Sequence, residues 1–228
     1  MIFAVHQPQY LPWLGYFHKI AKSEFFLFLD DVQYKKREFQ NRNQIKTPNG
    51  PLWLTVPVLT KGAYDQNIMD VKIDPTERWA QSHWKSIEIN YRKAPYFEEH
   101  AAFFRELYQK EWLSLMDVSM EIIKYVLKYL EIQTPHAMSS EYKVSTQSTE
   151  RIIDLAKKCA ADTYYSGSGG KAYMDESLFE KNGIKLVYQH YEHPVYDQLH
   201  GEFKPYMSII DLLFNCGKES YGILMEGN

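Results

Sequence analysis

The first thirty residues constrain the fold most. Ile2–Val5 is a short continuous apolar run, and Phe25–Leu29 is a second one. Between them, Trp13, Leu14, Phe17, Ile20 and Ala21 fall on one face of a helix over Trp13–Lys22. Pro12 stands just ahead, where proline suits a first helical turn. Two fully apolar strands joined by a helix of about ten residues make a βαβ unit, with parallel strands and a right-handed crossover. A parallel-sheet α/β fold is therefore expected.

Downstream, Phe39–Lys46 is a polar stretch and Pro48-Asn49-Gly50 a turn. Leu52–Val58 and Ile68–Ile73 read as strands, with Thr60–Ala63 a loop between them. Residues 77–131 are almost wholly helical in pattern. Trp79, Trp84, Ile87 and Tyr91 lie near helical spacing, Pro95 interrupts, and Leu113–Leu130 carries an apolar residue every third or fourth position. The last third returns to α/β: a helix over Ser148–Lys158, a strand over Thr163–Ser166, and a short helix over Asp175–Lys181 closed by Asn182-Gly183. A strand over Ile184–His190 and a helix over Ser208–Asn215 complete it. The expected organisation is an N-terminal α/β half (1–75), an inserted helical subdomain (76–133) and a C-terminal α/β half (134–228), together one compact catalytic unit.

Charge narrows the function. Twenty-six basic and 29 acidic residues leave a net charge of −3. No broad positive field follows, so nucleic-acid binding through Lys35–Lys46 is disfavoured. Cys159 and Cys216 are the only cysteines, too few for a disulfide framework or a structural zinc site. The opening MIFAVHQPQYLP has neither the basic nor the apolar region of a secretory leader, and no apolar stretch approaches the roughly 20 residues of a membrane span. A cytoplasmic protein without a transmembrane segment is expected.

Five places carry chemistry. The first is the turn after strand one, with His6, Gln7, Tyr10 and Trp13, where an open α/β sheet holds its ligands and a following helix offers N–H groups. Next come Asp30 and Asp31 with Gln33, strand-end carboxylates suited to magnesium or to a substrate amine or hydroxyl. The third is the basic and amide-rich Lys35-Lys36-Arg37 with Gln40, Asn41, Arg42, Asn43 and Lys46, suited to phosphate and sugar recognition. The fourth is Ser166-Gly167-Ser168-Gly169-Gly170-Lys171, a strand-end loop able to cradle an anion. It is not a Walker A loop, because Tyr165 stands where the first glycine belongs and Ala172 where a magnesium-binding hydroxyl belongs. The fifth is the polar stretch that includes Tyr196, Gln198, Ser208 and Asp211. His190 and His193 within it lack the spacing and the carboxylate of a metal site, so no metal is assigned.

The runs HQPQYLPWLGYFHKI, FLDDVQYKKREFQNRNQIKTPNG and LWLTVPV, with YYSGSGGKAYM and FKPYMSIIDLLFNCG later, resemble the WbqC-like protein family. The resemblance implies a role in bacterial surface polysaccharide (O-antigen, lipopolysaccharide) biosynthesis, transferring a glycyl, other acyl or nucleotidyl-activated group to an amino sugar. The order strand, proline-containing turn, helix opening at Leu14-Gly15 and acid-ended strand is also similar to the nucleotidyltransferase-like (HUP/Rossmann-like) fold. That fold's turn carries two histidines flanking a glycine; here Trp13 and Tyr16 bracket Leu14-Gly15 instead. The groups that stabilise a charged phosphorus transition state are thus absent from their usual places.

The combined expectation is a transferase with His6 as general base and Asp30 or Asp31 orienting it. The Gly167–Lys171 loop would hold phosphates, and Arg42, Lys46 and the neighbouring amides would hold the sugar. No cofactor is specified; a nucleotide with magnesium is what these residues would accommodate. The partners are a small activated donor and a sugar acceptor. The alternative is a non-catalytic nucleotide-sugar binding protein of the same pathway. The reading requires His6, Asp30, Asp31 and Arg42 to open into one cleft.

Overall fold

The computed structural model describes residues 1–63 and 65–227. Its centre is a five-stranded sheet, every pairing parallel: β1 (Ile2–His6), β2 (Phe25–Phe28), β5 (His136–Met138), β6 (Thr163–Ser166) and β7 (Lys185–Tyr188), in the order β5-β2-β1-β6-β7. Helix α1 (Leu14–Ala21) joins β1 to β2, as the apolar spacing of that segment predicts. From β1 the chain builds outward through β2 to β5, then crosses back to place β6 on the other side of β1. The order therefore reverses between β1 and β6.

Alternation assigns the two faces. Ala4, Phe26 and Phe28 point to one side, into a core shared with Leu14, Phe17 and Ile20 of α1. Phe3, Val5, Leu27 and Leu29 point to the other, against Ile152, Leu155 and Ala156 of α5 (Ser148–Lys158) and Phe179 of α6 (Glu176–Lys181). Both faces of the central strands are covered, which is why they read as unbroken apolar runs.

The helical block forms α2 (Trp79–Tyr91), α3 (Phe97–Gln109) and α4 (Leu115–Tyr129). It does not enclose a core of its own. Ile87, Phe104, Ile122 and Val126 belong to the same buried cluster as Ala4, Phe26 and Phe28, together with Leu213 and Phe214 of α7 (Ile209–Cys216). Gly217 ends α7 at φ +52, and a Cβ there would lie 2.3 Å from the Tyr96 ring. Gly217→Ala should therefore cost about 1–3 kcal/mol in urea unfolding; a loss below about 0.5 kcal/mol would show that the turn tolerates the side chain.

Two strand expectations change. The polar stretch contains β3 (Arg42–Thr47), which pairs antiparallel with β4 (Gly50–Thr55) in a separate two-stranded ribbon around the Pro48-Asn49 turn. Ile68–Ile73 is not a regular strand: Ile68–Asp70 is a single 3-10 turn, and the segment's N–H groups bond to Val32, Asp30, Asn67, Ile68 and Leu113 carbonyls rather than to one neighbouring strand. A short terminal helix, α8 (Ser220–Glu226), follows α7. No helix among the described residues is long and apolar enough to cross a membrane.

Candidate functional site

At the end of β1 the chain turns through His6-Gln7-Pro8. The α1 face three residues apart, Tyr16 and Lys19, closes over this turn. Tyr16 Oη donates to the Gln7 carbonyl at 3.1 Å, and its ring meets the His6 ring edge-on at 5.0 Å. Lys19 Nζ donates to the Val5 carbonyl at 2.9 Å. Lys19 is only 2 % exposed, and among the described residues no carboxylate pairs with it. The next strand, β6, brings its own end alongside: a Cβ on Gly167 would lie 3.7 Å from Lys19 Nζ. His6, Lys19 and the glycine loop thus meet where the strand order reverses, the place where open α/β sheets bind ligands.

Burial sets the protonation of this group. Removing an ammonium from water disfavours its charged form, and Lys19 is pushed down to about 7. Burial also takes His6 well below its ordinary value. The neighbouring Lys19 charge acts in the same direction, and the bond to Gln7 only partly opposes them. His6 Nδ1 lies 3.2 Å from the Gln7 carbonyl, which can only accept. In the neutral ring Nδ1 therefore keeps the proton and Nε2 carries the lone pair.

The loop after β6 is shaped by Gly170, where a Cβ would stand 2.3 Å from Ser166 Oγ. Ser166 Oγ donates to the Gly167 carbonyl at 3.1 Å, while Ser168 and Gly169 are exposed. Lys171 lies over the Tyr188 ring, 5.2 Å from its centre.

The other predicted residues lie elsewhere. Asp30 is 2 % exposed and accepts from Ser140 N at 2.9 Å, Ser140 Oγ at 2.6 Å and Ser139 Oγ at 3.1 Å. Asp31 accepts from Ser139 Oγ and pairs with Arg151 of α5. Both carboxylates are thus taken up by the turn after β5 and by α5, on the far side of β2 from β6. Neither aspartate is hydrogen-bonded to His6, whose Nδ1 faces the Gln7 carbonyl instead. A divalent cation would have to displace Arg151 from Asp31 and the Ser140 donors from Asp30. No cluster of three or more His, Cys, Asp or Glu able to hold a metal occurs among the described residues.

The amide-rich strand spends its polar groups on the protein. Asn43 Nδ2 donates to the Leu11 carbonyl at 2.6 Å, and Asn41 Nδ2 to the Val56 carbonyl at 2.8 Å. Gln40 accepts from Lys35 N at 2.9 Å, and its carbonyl accepts from Tyr10 N. Arg42 donates to the Arg37 carbonyl and stacks over Trp53 at 4.4 Å. Gln33 donates to Asp65 at the surface. Tyr10, expected at the ligand, is fully buried; its hydroxyl lies 2.8 Å from His83 Nδ1 and 2.5 Å from Tyr108 Oη.

A second network forms around Asp211, which is fully buried at the start of α7. Tyr91 donates to it at 2.6 Å, Tyr196 at 2.9 Å and Gln198 at 2.8 Å. Lys46 faces its charge and donates to the Gly201 carbonyl at 3.1 Å. Ser208 caps α7 through the Ile210 N–H. Tyr196, Gln198, Ser208, Asp211 and Lys46 are therefore tied to α7 and its packing. Trp13 packs against Tyr191 and Tyr206, and its ring covers Gly15 closely enough that a Cβ there would clash at 2.2 Å. That ring lies against the first turn of α1, where an open helix end was expected.

Lys19 and Tyr16 are the residues that sequence reasoning missed. Only Tyr16 carried a signal, one turn before the apolar Ile20; Lys19 lies nearly opposite Phe17 and is buried because the helix is covered on every side.

The fold is thus an α/β protein on a parallel five-stranded sheet, with a lysine and a histidine both lowered by burial where the strand order reverses. The chain belongs to the WbqC-like protein family, which it matches over residues 7–223. It is 39 % identical over 219 residues to the protein named Uncharacterized protein Rv1507c of Mycobacterium tuberculosis (strain ATCC 25618 / H37Rv), covering 95 % of this chain and 94 % of that one. No solved structure matches it.

Proposed function

We propose that the chain is a group-transfer enzyme of nucleotidyltransferase-like, Rossmann-like descent. It binds an anionic activated donor between the ends of β1 and β6. The observation that carries this reading is Lys19, a buried ammonium poised near neutrality beside both His6 and Gly167. An ammonium held in a low-dielectric wall next to a glycine loop is a phosphate or carboxylate receptor. His6 Nε2 takes the proton from the attacking acceptor amine or hydroxyl as the bond to the donor forms. Lys19 and the amides of the Gly167–Lys171 loop offset the charge that leaves with the donor's anion. The acceptor class is the amino sugar of a bacterial surface polysaccharide, consistent with the WbqC-like family.

Calorimetry with nucleoside diphosphates and nucleotide-sugars tests the site. The bound anion favours the charged lysine, so binding takes up a proton where free Lys19 is neutral. Affinity should therefore be highest below pH 7 and fall as pH rises through about 7. His6→Ala should retain that affinity and lose turnover by about 10²–10⁴-fold. Affinity indifferent to pH and to Lys19→Met would remove the lysine from the site.

A non-catalytic binding protein with the same pocket is the second reading. It is favoured by the engagement of Asp30 and Asp31 with Ser139, Ser140 and Arg151, which leaves His6 without an orienting carboxylate. Unchanged turnover in His6→Ala, with ligand affinity intact, would support this reading over the first.

A further inference from the structure

The basic stretch before β3 is not absorbed by the site above. Between residues 35 and 46 stand Lys35, Lys36, Arg37, Arg42 and Lys46 against a single acid, Glu38, in a chain whose net charge is −3. Lys46 is turned inward, whereas Lys35, Lys36 and Arg37 are exposed. The segment folds back onto the β3–β4 ribbon: Arg42 bonds the Arg37 carbonyl, and the Phe39 and Trp53 rings lie 5.9 Å apart.

Ile45 and Leu54 seat this ribbon on the core, but three apolar side chains of the segment stay at the surface. Phe39 is 45 % exposed, Leu52 40 % and Trp53 39 %. Leu52 opposes Ile45 and Trp53 opposes Gln44, so the two project from opposite faces of β4. Pro51 beside them is exposed too. Ile45 and Leu54 occupy the core side of the ribbon, so the exposed apolar groups are left at its outer side and edge, next to the exposed Lys35, Lys36 and Arg37. Aromatic and leucine side chains flanked by lysine and arginine are the composition of interfacial membrane anchors.

We propose that the β3–β4 ribbon, with Phe39, Leu52 and Trp53 at its surface and Lys35, Lys36 and Arg37 beside them, docks the protein on an anionic lipid surface. The apolar side chains enter the headgroup boundary, and the three basic residues meet the phosphates.

Co-sedimentation of the full chain with large unilamellar vesicles tests this. Vesicles of phosphatidylglycerol and phosphatidylcholine in equal parts should retain the protein at low salt, and vesicles of phosphatidylcholine alone should not. Raising salt to about 1 M should release it, since the screening length falls to about 3 Å. Lys35→Glu/Lys36→Glu/Arg37→Glu should reduce binding by about a hundredfold, because each basic group near such a surface contributes about fivefold. Leu52→Ser/Trp53→Ser should weaken binding by about tenfold or more even at low salt, as two apolar groups leave the boundary. Both variants change exposed side chains, and an unaltered melting temperature will show that each is folded. Failure to sediment with the anionic vesicles overturns the proposal. So does equal binding by the charge-reversed variant, or capture by polyglutamate or duplex DNA in place of vesicles.

Discussion

Asp211→Ala should destabilise the protein by about 3–5 kcal/mol, the usual cost of removing one partner from a buried charged network. The carboxylate is fully buried and receives three hydrogen bonds, from Tyr91, Tyr196 and Gln198. Without it, two hydroxyls lose their acceptor in the interior, Gln198 keeps only its other acceptors such as the Lys204 carbonyl, and the inward-turned Lys46 loses its opposing charge. Asp211→Asn should cost less than alanine but remain destabilising. An asparagine oxygen can still serve Tyr196 and Gln198, but its NH₂ would face Tyr91 Oη, which already accepts from Lys46 N at 2.8 Å. Urea unfolding should show a lower midpoint with an unchanged slope. A loss below about 1 kcal/mol would mean that water replaces the carboxylate without strain.

Lys19→Met should act in the opposite direction. The folded protein holds Lys19 near 7, far below its ordinary 10.5. Between those values the unfolded chain binds a proton that the folded chain does not, so stability rises with pH across that window. At and below pH 7 the folded state bears the full cost of a buried ammonium. Methionine removes that cost and fills similar space, but gives up the bond to the Val5 carbonyl. A net gain of roughly 1–3 kcal/mol is expected at pH 6, shrinking towards pH 10, alongside the loss of anion affinity. Gained stability with lost function is the signature of a group retained for chemistry. A methionine variant less stable than the parent at pH 6 would make Lys19 a structural residue.

The parts of the fold that were legible are those where apolar periodicity decides. Strand β6 and helix α5 have the bounds expected for them, Thr163–Ser166 and Ser148–Lys158, and α1 differs from expectation only at its ends. Strand β3 was hidden because Asn43 and Lys46 are buried as well as Ile45, so its burial does not follow hydrophobicity. Strand β5 is three residues long, too short for any period to register. The candidate site was legible only in part. The turn at His6 and the loop at Gly167 could be placed because strand ends bind ligands in such sheets. Asp30 and Asp31 look the same in sequence whether they face a substrate or cap a turn. Ser139, Ser140 and Arg151, more than a hundred residues away, decide which. The amides of β3 misled for a related reason: a polar side chain that satisfies a buried carbonyl is indistinguishable, before folding, from one that awaits a sugar.

The bond from Tyr10 to His83 and Tyr108 joins the turn that carries His6 to helices more than seventy residues further along. That clamp makes the turn mechanically continuous with the helical block. Remodelling α2 or α3, by drift among relatives or by design, would retune the chemistry of a turn it never touches in sequence. The same helices could not be excised to leave a working sheet.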